Sequence, residues 1–140
     1  MLHVLIHMDR HAGHATSDII ANMLGTNPVV VRRTMAGLRE HGLVRSEKGH
    51  GGGWTLARGL DAITLLDIHQ ALGNPSIFAI GIANPAAQCL VEQAVNAALQ
   101  DALAQAERNL LARFGDVTLA DLGRDFGARL ATCDAAHLPA

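Results

Sequence analysis

Arg32 and Arg33 stand side by side, and a pair of guanidinium groups is the clearest chemistry this 140-residue sequence offers to a ligand. Each guanidinium presents a fork of N–H donors that matches the O6/N7 edge of guanine or grips a phosphate. Shortly downstream, Arg45, Lys48 and His50 sit in or beside the run Glu47-Lys48-Gly49-His50-Gly51-Gly52-Gly53. So many glycines permit positive φ and close approach to another surface, and a cationic tip on such a loop suits a phosphate backbone or a minor groove. The same glycines lack the Lys-Ser/Thr and following helix of a nucleotide-binding loop. No Ser/His/Asp ordering and no paired carboxylates are evident, so an enzyme is not expected.

Two further sets of side chains bear weighing. His3, His7, His11 and His14 are spaced by four, four and three residues, which would align them along one helical stripe. Imidazoles at i and i+4 can share a transition metal. No carboxylate or cysteine pattern completes a ligand set, so the stripe reads as packing and no metal site is expected. Cys89 and Cys133 are the two cysteines, too few for a disulfide framework. Cys89 is expected in the first turn of a long helix, where the dipole lowers a thiol pKa and makes it a possible redox sensor. A small buried apolar residue is the competing reading of the same cysteine.

The elements that must position these groups are punctuated clearly. Met1 to about His11 reads as an apolar helix that opens without an N-cap and stops at Gly13. Thr16 or Ser17 caps a second helix, with Asp18 near its positive end and Ile19, Ile20, Met23 and Leu24 on its apolar face. Gly25 suits the turn that ends it. Asn27-Pro28 then pairs an N-cap with a first-turn proline. The third helix runs to about His41 with Val31, Met35 and Leu38 as its core stripe; Val29, Arg32, Arg33 and Ala36 fall on the opposite face. Two short helices across a tight turn form a helix-turn-helix. Leu43–Ser46 and Trp54–Leu56 are expected strands of a hairpin around the glycine loop.

Further on, Thr64 with Asp67 makes a capping box, and Ile63 with Ile68 a hydrophobic staple. Gly73 ends that helix. Asn84-Pro85 repeats the cap-plus-proline start for a long helix to about Phe114, striped by Val91, Val95, Leu99, Leu103, Ala106, Leu110 and Phe114. Thr118 with Asp121 and Val117 with Leu122 open a last helix, frayed after about Thr132.

Charge is divided along the chain. Residues 1–60 hold seven Lys/Arg against four Asp/Glu, a net +3; residues 61–140 hold four against nine, a net −5. A basic first half and an acidic second half fit a nucleic-acid-binding portion joined to an assembly portion. The apolar fraction of 49% excludes a disordered chain, and no apolar run reaches bilayer length. The opening residues lack the pattern of a secretory leader, so the cytoplasm is the expected compartment.

The segment from Gly42 to Arg58, Gly-Leu-Val-Arg-Ser-Glu-Lys-Gly-His-Gly-Gly-Gly-Trp-Thr-Leu-Ala-Arg, closely resembles the wing signature of the Rrf2 family of bacterial winged-helix regulators. Ile63-Thr64-Leu65-Leu66-Asp67-Ile68 resembles the helix start that follows it in that family. The resemblance implies a homodimer whose long C-terminal helices cross and pair. It places Asn27, Arg32 and Arg33 on the recognition helix, and Lys48, His50 and Gly51 on the wing tip. Thr16, Ser17 and Arg45 complete the expected DNA-contacting set. Members that bind a [2Fe–2S] cluster use three closely spaced cysteines, and here that stretch has Cys89 alone, so the cluster-free branch is expected and no cofactor.

The expected fold is mostly α with a small β-hairpin: a winged helix-turn-helix over 1–73, a connector over 74–84, dimerisation helices over 85–132 and a flexible tail over 133–140. The expected function is sequence-specific binding of an inverted-repeat operator by a homodimeric regulator, a repressor, with any redox response routed through Cys89. A winged helix that dimerises but uses its face for protein is the alternative.

Overall fold

Among the described residues, six α-helices and one antiparallel hairpin follow one another in the order expected of a winged helix. A computed structural model of the chain describes residues 1–10, 14–49, 52–79 and 88–136, with side chains as far as Arg129. The helices are α1 (Leu2–Arg10), α2 (Ser17–Leu24), α3 (Pro28–Glu40), α4 (Leu65–Ala71), α5 (Leu90–Asp116) and α6 (Leu119–Ala136). The strands are β1 (Val44–Glu47) and β2 (Gly53–Leu56), paired in register from Val44–Leu56 to Glu47–Gly53. A 3₁₀ turn at Leu60–Ala62 leads into α4 and had no clear sequence signal.

Local chemistry explains each boundary of the N-terminal helices. Thr16 is the N-cap of α2, its Oγ1 accepting from the Ile19 N–H at 3.2 Å. Gly25 closes α2 at φ 60°, a left-handed conformation that costs glycine nothing, and its N–H returns to the last carbonyls of the helix. Asn27 then caps α3, its Oδ1 accepting from the Val29 N–H at 2.8 Å, with Pro28 as first helical residue. Such caps each contribute about 1 kcal/mol. The turn is therefore fixed from both sides.

The core lies where α1, α2 and α3 converge on the foot of the hairpin. Leu5, Ile20, Met35, Leu38, Leu43 and Ile63 are completely buried, and Val4, Val31 and Val44 nearly so. The stripe Val31, Met35 and Leu38 is the buried face of α3, as its spacing required. On the next side, α3 and α4 touch backbone to backbone: a Cβ on Gly37 would stand 2.6 Å from the Ala71 carbonyl oxygen. Glycine is the residue this crossing requires.

Both expected capping boxes form, and they form next to one another. The Thr64 N–H donates to Asp67 Oδ2 at 2.8 Å while the Asp67 N–H donates to Thr64 Oγ1 at 3.1 Å. Thr118 and Asp121 repeat the exchange at 2.8 and 3.2 Å. Thr64 and Thr118 face each other in an isolated antiparallel bridge, closed by Leu65 N–H to Val117 O at 3.0 Å and Leu119 N–H to Ile63 O at 2.9 Å. The bridge joins the start of α4 to the α5–α6 turn and buries Leu119 fully.

Three sequence expectations shift. α1 ends at Arg10, and His14 lies beyond it, so the four histidines are not one helical stripe; His11 lies outside the described residues. The Asn84-Pro85 cap lies outside them, but Gln88 and Cys89 are described and not helical, so the long helix begins at Leu90 and does not run on from Pro85. α6 continues to Ala136, four residues past the point where fraying was expected.

Candidate nucleic-acid interface

The outer face of α3 is the candidate DNA-contacting surface. With Val31, Met35 and Leu38 turned inward, Val29, Arg32, Arg33 and Glu40 are exposed. Arg32 and Arg33 carry no hydrogen bond or ion pair among the described residues, which leaves both guanidinium forks available. Arg39, toward the C-terminal end, is instead drawn to the wing, its Nη1 donating to Ser46 Oγ at 3.4 Å. The segment from Pro28 to Arg58 holds six Lys/Arg against two Asp/Glu. One of those carboxylates, Glu47, is 2.7 Å from His14 Nε2 and so is hydrogen-bonded within the protein.

The wing is fastened to the helix-turn-helix at three points. Ala15 and Trp54 exchange backbone hydrogen bonds of 3.1 and 3.0 Å. The Trp54 indole Nε1 donates to Ser17 Oγ at 3.0 Å. His14 reaches Glu47 at the outer end of β1. A Cβ on Gly53 would stand 3.0 Å from His14 Cβ and 3.1 Å from the Ala15 carbonyl, so the close approach depends on glycine. These contacts join the hairpin to the start of α2.

The sequence-predicted residues divide by what their side chains are doing. Arg32, Arg33 and Lys48 are exposed and unengaged among the described residues. Thr16 and Asn27 use their side-chain oxygens as caps, and Ser17 accepts the indole proton, so these three build the motif; Asn27 keeps its Nδ2 as a donor. Arg45 lies at the foot of the hairpin, its Nη2 donating to the Ala57 carbonyl at 3.2 Å. His50 and Gly51 lie outside the described residues. Val29, 64% exposed on the same outer face, was not among the residues expected to contact DNA. Its signal was present in the helical wheel, which put it between the two arginines on the outer face.

Cys89 is the N-cap of α5, one position before the first turn in which it was expected. Its side chain is exposed in the isolated chain. Hydrogen bonding from the backbone of Glu92, and then of Val91, holds its thiol below the ordinary value. On α1, His3 and His7 meet edge to face with ring centroids 5.0 Å apart, and His7 lies 6.3 Å from the Phe126 ring. Arg10 covers the same ring at 4.8 Å. These rings join α1 to α6.

A family model described as Rrf2, iron-dependent transcriptional regulator, matches residues 1–125. The chain belongs to the Rrf2 family. Like its family, this Rrf2 chain is a DNA-binding transcriptional regulator and not an enzyme. It shares 30% identity over 119 residues with YwnA of Bacillus subtilis, a protein named as an HTH-type transcriptional regulator, covering 84% of this chain and 86% of YwnA. A crystal structure from Lactobacillus plantarum, also named as a transcriptional regulator, is 26% identical with a TM-score of 0.74, covering 97% of this chain and 95% of that one. IscR of T. potens shares the fold at 21% identity and a TM-score of 0.61, over 97% of this chain and 84% of that one. These likenesses bear out the mostly helical winged-helix fold read from the sequence.

The family description names iron, and the donor set of this Rrf2 chain does not fit an iron–sulfur cluster. Thiolates supply most ligands of such clusters. The sequence holds only Cys89, at the start of α5, and Cys133, in the last turns of α6. Among the described residues no three His, Cys, Asp or Glu side chains are grouped to hold a metal ion.

Proposed function

We propose that the chain acts as a homodimeric repressor in the cytoplasm, holding an inverted-repeat operator with one recognition helix in each half-site. The observation that carries this reading is the unengaged pair Arg32 and Arg33 on the outward face of a helix whose Arg39 reaches the adjoining basic wing at Ser46. In a major groove about 12 Å wide, such a helix brings its N-terminal side chains to base edges, and the wing carries Lys48 to the flanking backbone. The second copy is called for by α5. Its first eleven residues, 90–100, include a single charged side chain, Glu92, while Leu90, Val91, Val95 and Leu99 are exposed at 78, 71, 52 and 49%. A partner's α5 laid across that stripe would cover it and place two recognition helices on one face. Occupancy of promoter DNA by such a dimer represses by excluding other proteins.

The test is selection of binding sites by the full chain from a pool of random duplex DNA. An enriched inverted repeat is expected, its half-sites about 10 base pairs apart centre to centre, or a multiple of that. A pool without enrichment would overturn the DNA reading and favour the use of this face for protein.

The exposed, acidified thiol of Cys89 supports a second element, a redox response. Its thiolate is the form that peroxides oxidise to sulfenic acid and that thiols then reduce. Wild type should lose operator affinity reversibly on mild peroxide followed by dithiothreitol, and Cys89→Ser should not respond. Both proteins should lack iron–sulfur absorption as purified. Equal behaviour of the two proteins under oxidant would remove Cys89 from sensing.

A further inference from the structure

We infer that Val29 is a specificity-determining residue of the operator complex, reading the C5-methyl group of a thymine in the major groove. The inference rests on the DNA-binding reading above and assigns it a base preference. Val29 is among the most exposed large apolar residues of the chain, 64% accessible, although the helix that carries it has an ample buried face. It follows Pro28 in the first turn of α3, and its N–H is held by the Asn27 cap. First-turn residues of a recognition helix are the ones that meet base edges. Proline fixes φ at the preceding position, and a β-branched side chain in a helix keeps essentially one rotamer. The two methyl groups of Val29 are thus presented in a fixed place.

The neighbours of Val29 on this face are three and four residues on, Arg32 and Arg33, which makes it an apolar spot in a basic surface. Among the base edges in the major groove, the thymine methyl is the apolar feature, and an aliphatic side chain can cover it without leaving a polar base atom unpaired. Four residues of helix advance about 6 Å, and base pairs are stacked at about 3.4 Å. The thymine read by Val29 therefore lies within about two base pairs of a guanine read by Arg32 or Arg33.

The experiment uses the operator selected by the wild-type chain and replaces its thymines by uracil, one symmetric pair at a time. This removes a methyl group and leaves every hydrogen-bonding atom in place. Affinities of wild type and Val29→Ala are measured by fluorescence anisotropy on each duplex. At one thymine pair, wild type should lose about fourfold per half-site, the value of one buried methyl group. On Val29→Ala the same uracil substitution should have no effect. Failure of the wild type to select any operator would sink the DNA-binding reading itself. A selected operator with no uracil-sensitive position, or equal sensitivity in both proteins, would overturn the role of Val29 alone.

Discussion

Val95→Glu with Leu99→Glu should convert the protein into a folded monomer that has lost its operator. Both side chains are about half exposed in the isolated chain, so the substitutions leave the core formed by Leu5, Met35 and Ile63 untouched. In a paired α5 the same changes would bury four carboxylates along a stripe that offers them no counter-charge, and an unpaired buried charge is several kcal/mol more costly than an assembly of this size can absorb. Sedimentation or light scattering at micromolar concentration should report half the wild-type mass, with the far-ultraviolet helical signal retained. Two heads on one frame also act at an effective concentration of order millimolar, so their separation should reduce operator affinity by about 10²–10⁴. A variant that stays dimeric would move the interface off this stripe.

Arg32→Ala with Arg33→Ala should abolish discrimination between the operator and unrelated DNA. A bidentate arginine–guanine contact is worth about 1–3 kcal/mol, and in a symmetric dimer each loss counts twice. Affinity for the selected site should fall at least about a hundredfold, while affinity for random duplex falls much less. Lys48→Ala gives the contrasting pattern. Its ammonium group meets phosphate, so binding should weaken on all sequences alike and the salt slope should become shallower by about one per protomer. Titrations of both variants on both duplexes between low and moderate salt separate the two roles. Operator affinity unchanged by either variant would remove α3 and the wing tip from the interface.

How far the sequence could be read depended on the range of each interaction. The capping boxes at Thr64 and Thr118, the left-handed Gly25 and the buried stripe Val31, Met35, Leu38 all involve residues within one or two turns of each other, and all were legible. The glycine-rich wing was legible because its pattern is dense. The Ala15–Trp54 exchange and the Thr64–Thr118 bridge were not, because they pair residues far apart in the chain that nothing local requires to meet. The histidine stripe failed for the same reason. His14 left the helical register to meet Glu47, a partner 33 residues away. The long helix was expected from Pro85 on a cap-plus-proline signal, whereas it begins at Leu90 with Cys89 as its N-cap and no side-chain cap hydrogen bond, so nothing in the local side-chain chemistry marks its start. Val29 was seen on the outer face but passed over, since charge draws attention on a DNA-binding surface and an exposed aliphatic does not.

The bridge between Thr64 and Thr118 has a mechanical consequence. The described contacts of α5 with the head, Phe114 against His69 and Gly115 against Leu66, gather at its C-terminal end, where the bridge fixes the following turn. At 1.5 Å per residue the 27-residue α5 is a rod about 40 Å long, and among the described residues these contacts hold its C-terminal end. Such a rod is a lever. A tilt of about 5° at the far end, where Cys89 sits, moves the head by about 3 Å, close to the rise of one base pair. In the proposed dimer, a change of a few tenths of an ångström in how two α5 helices cross would be amplified into a shift of register on the DNA.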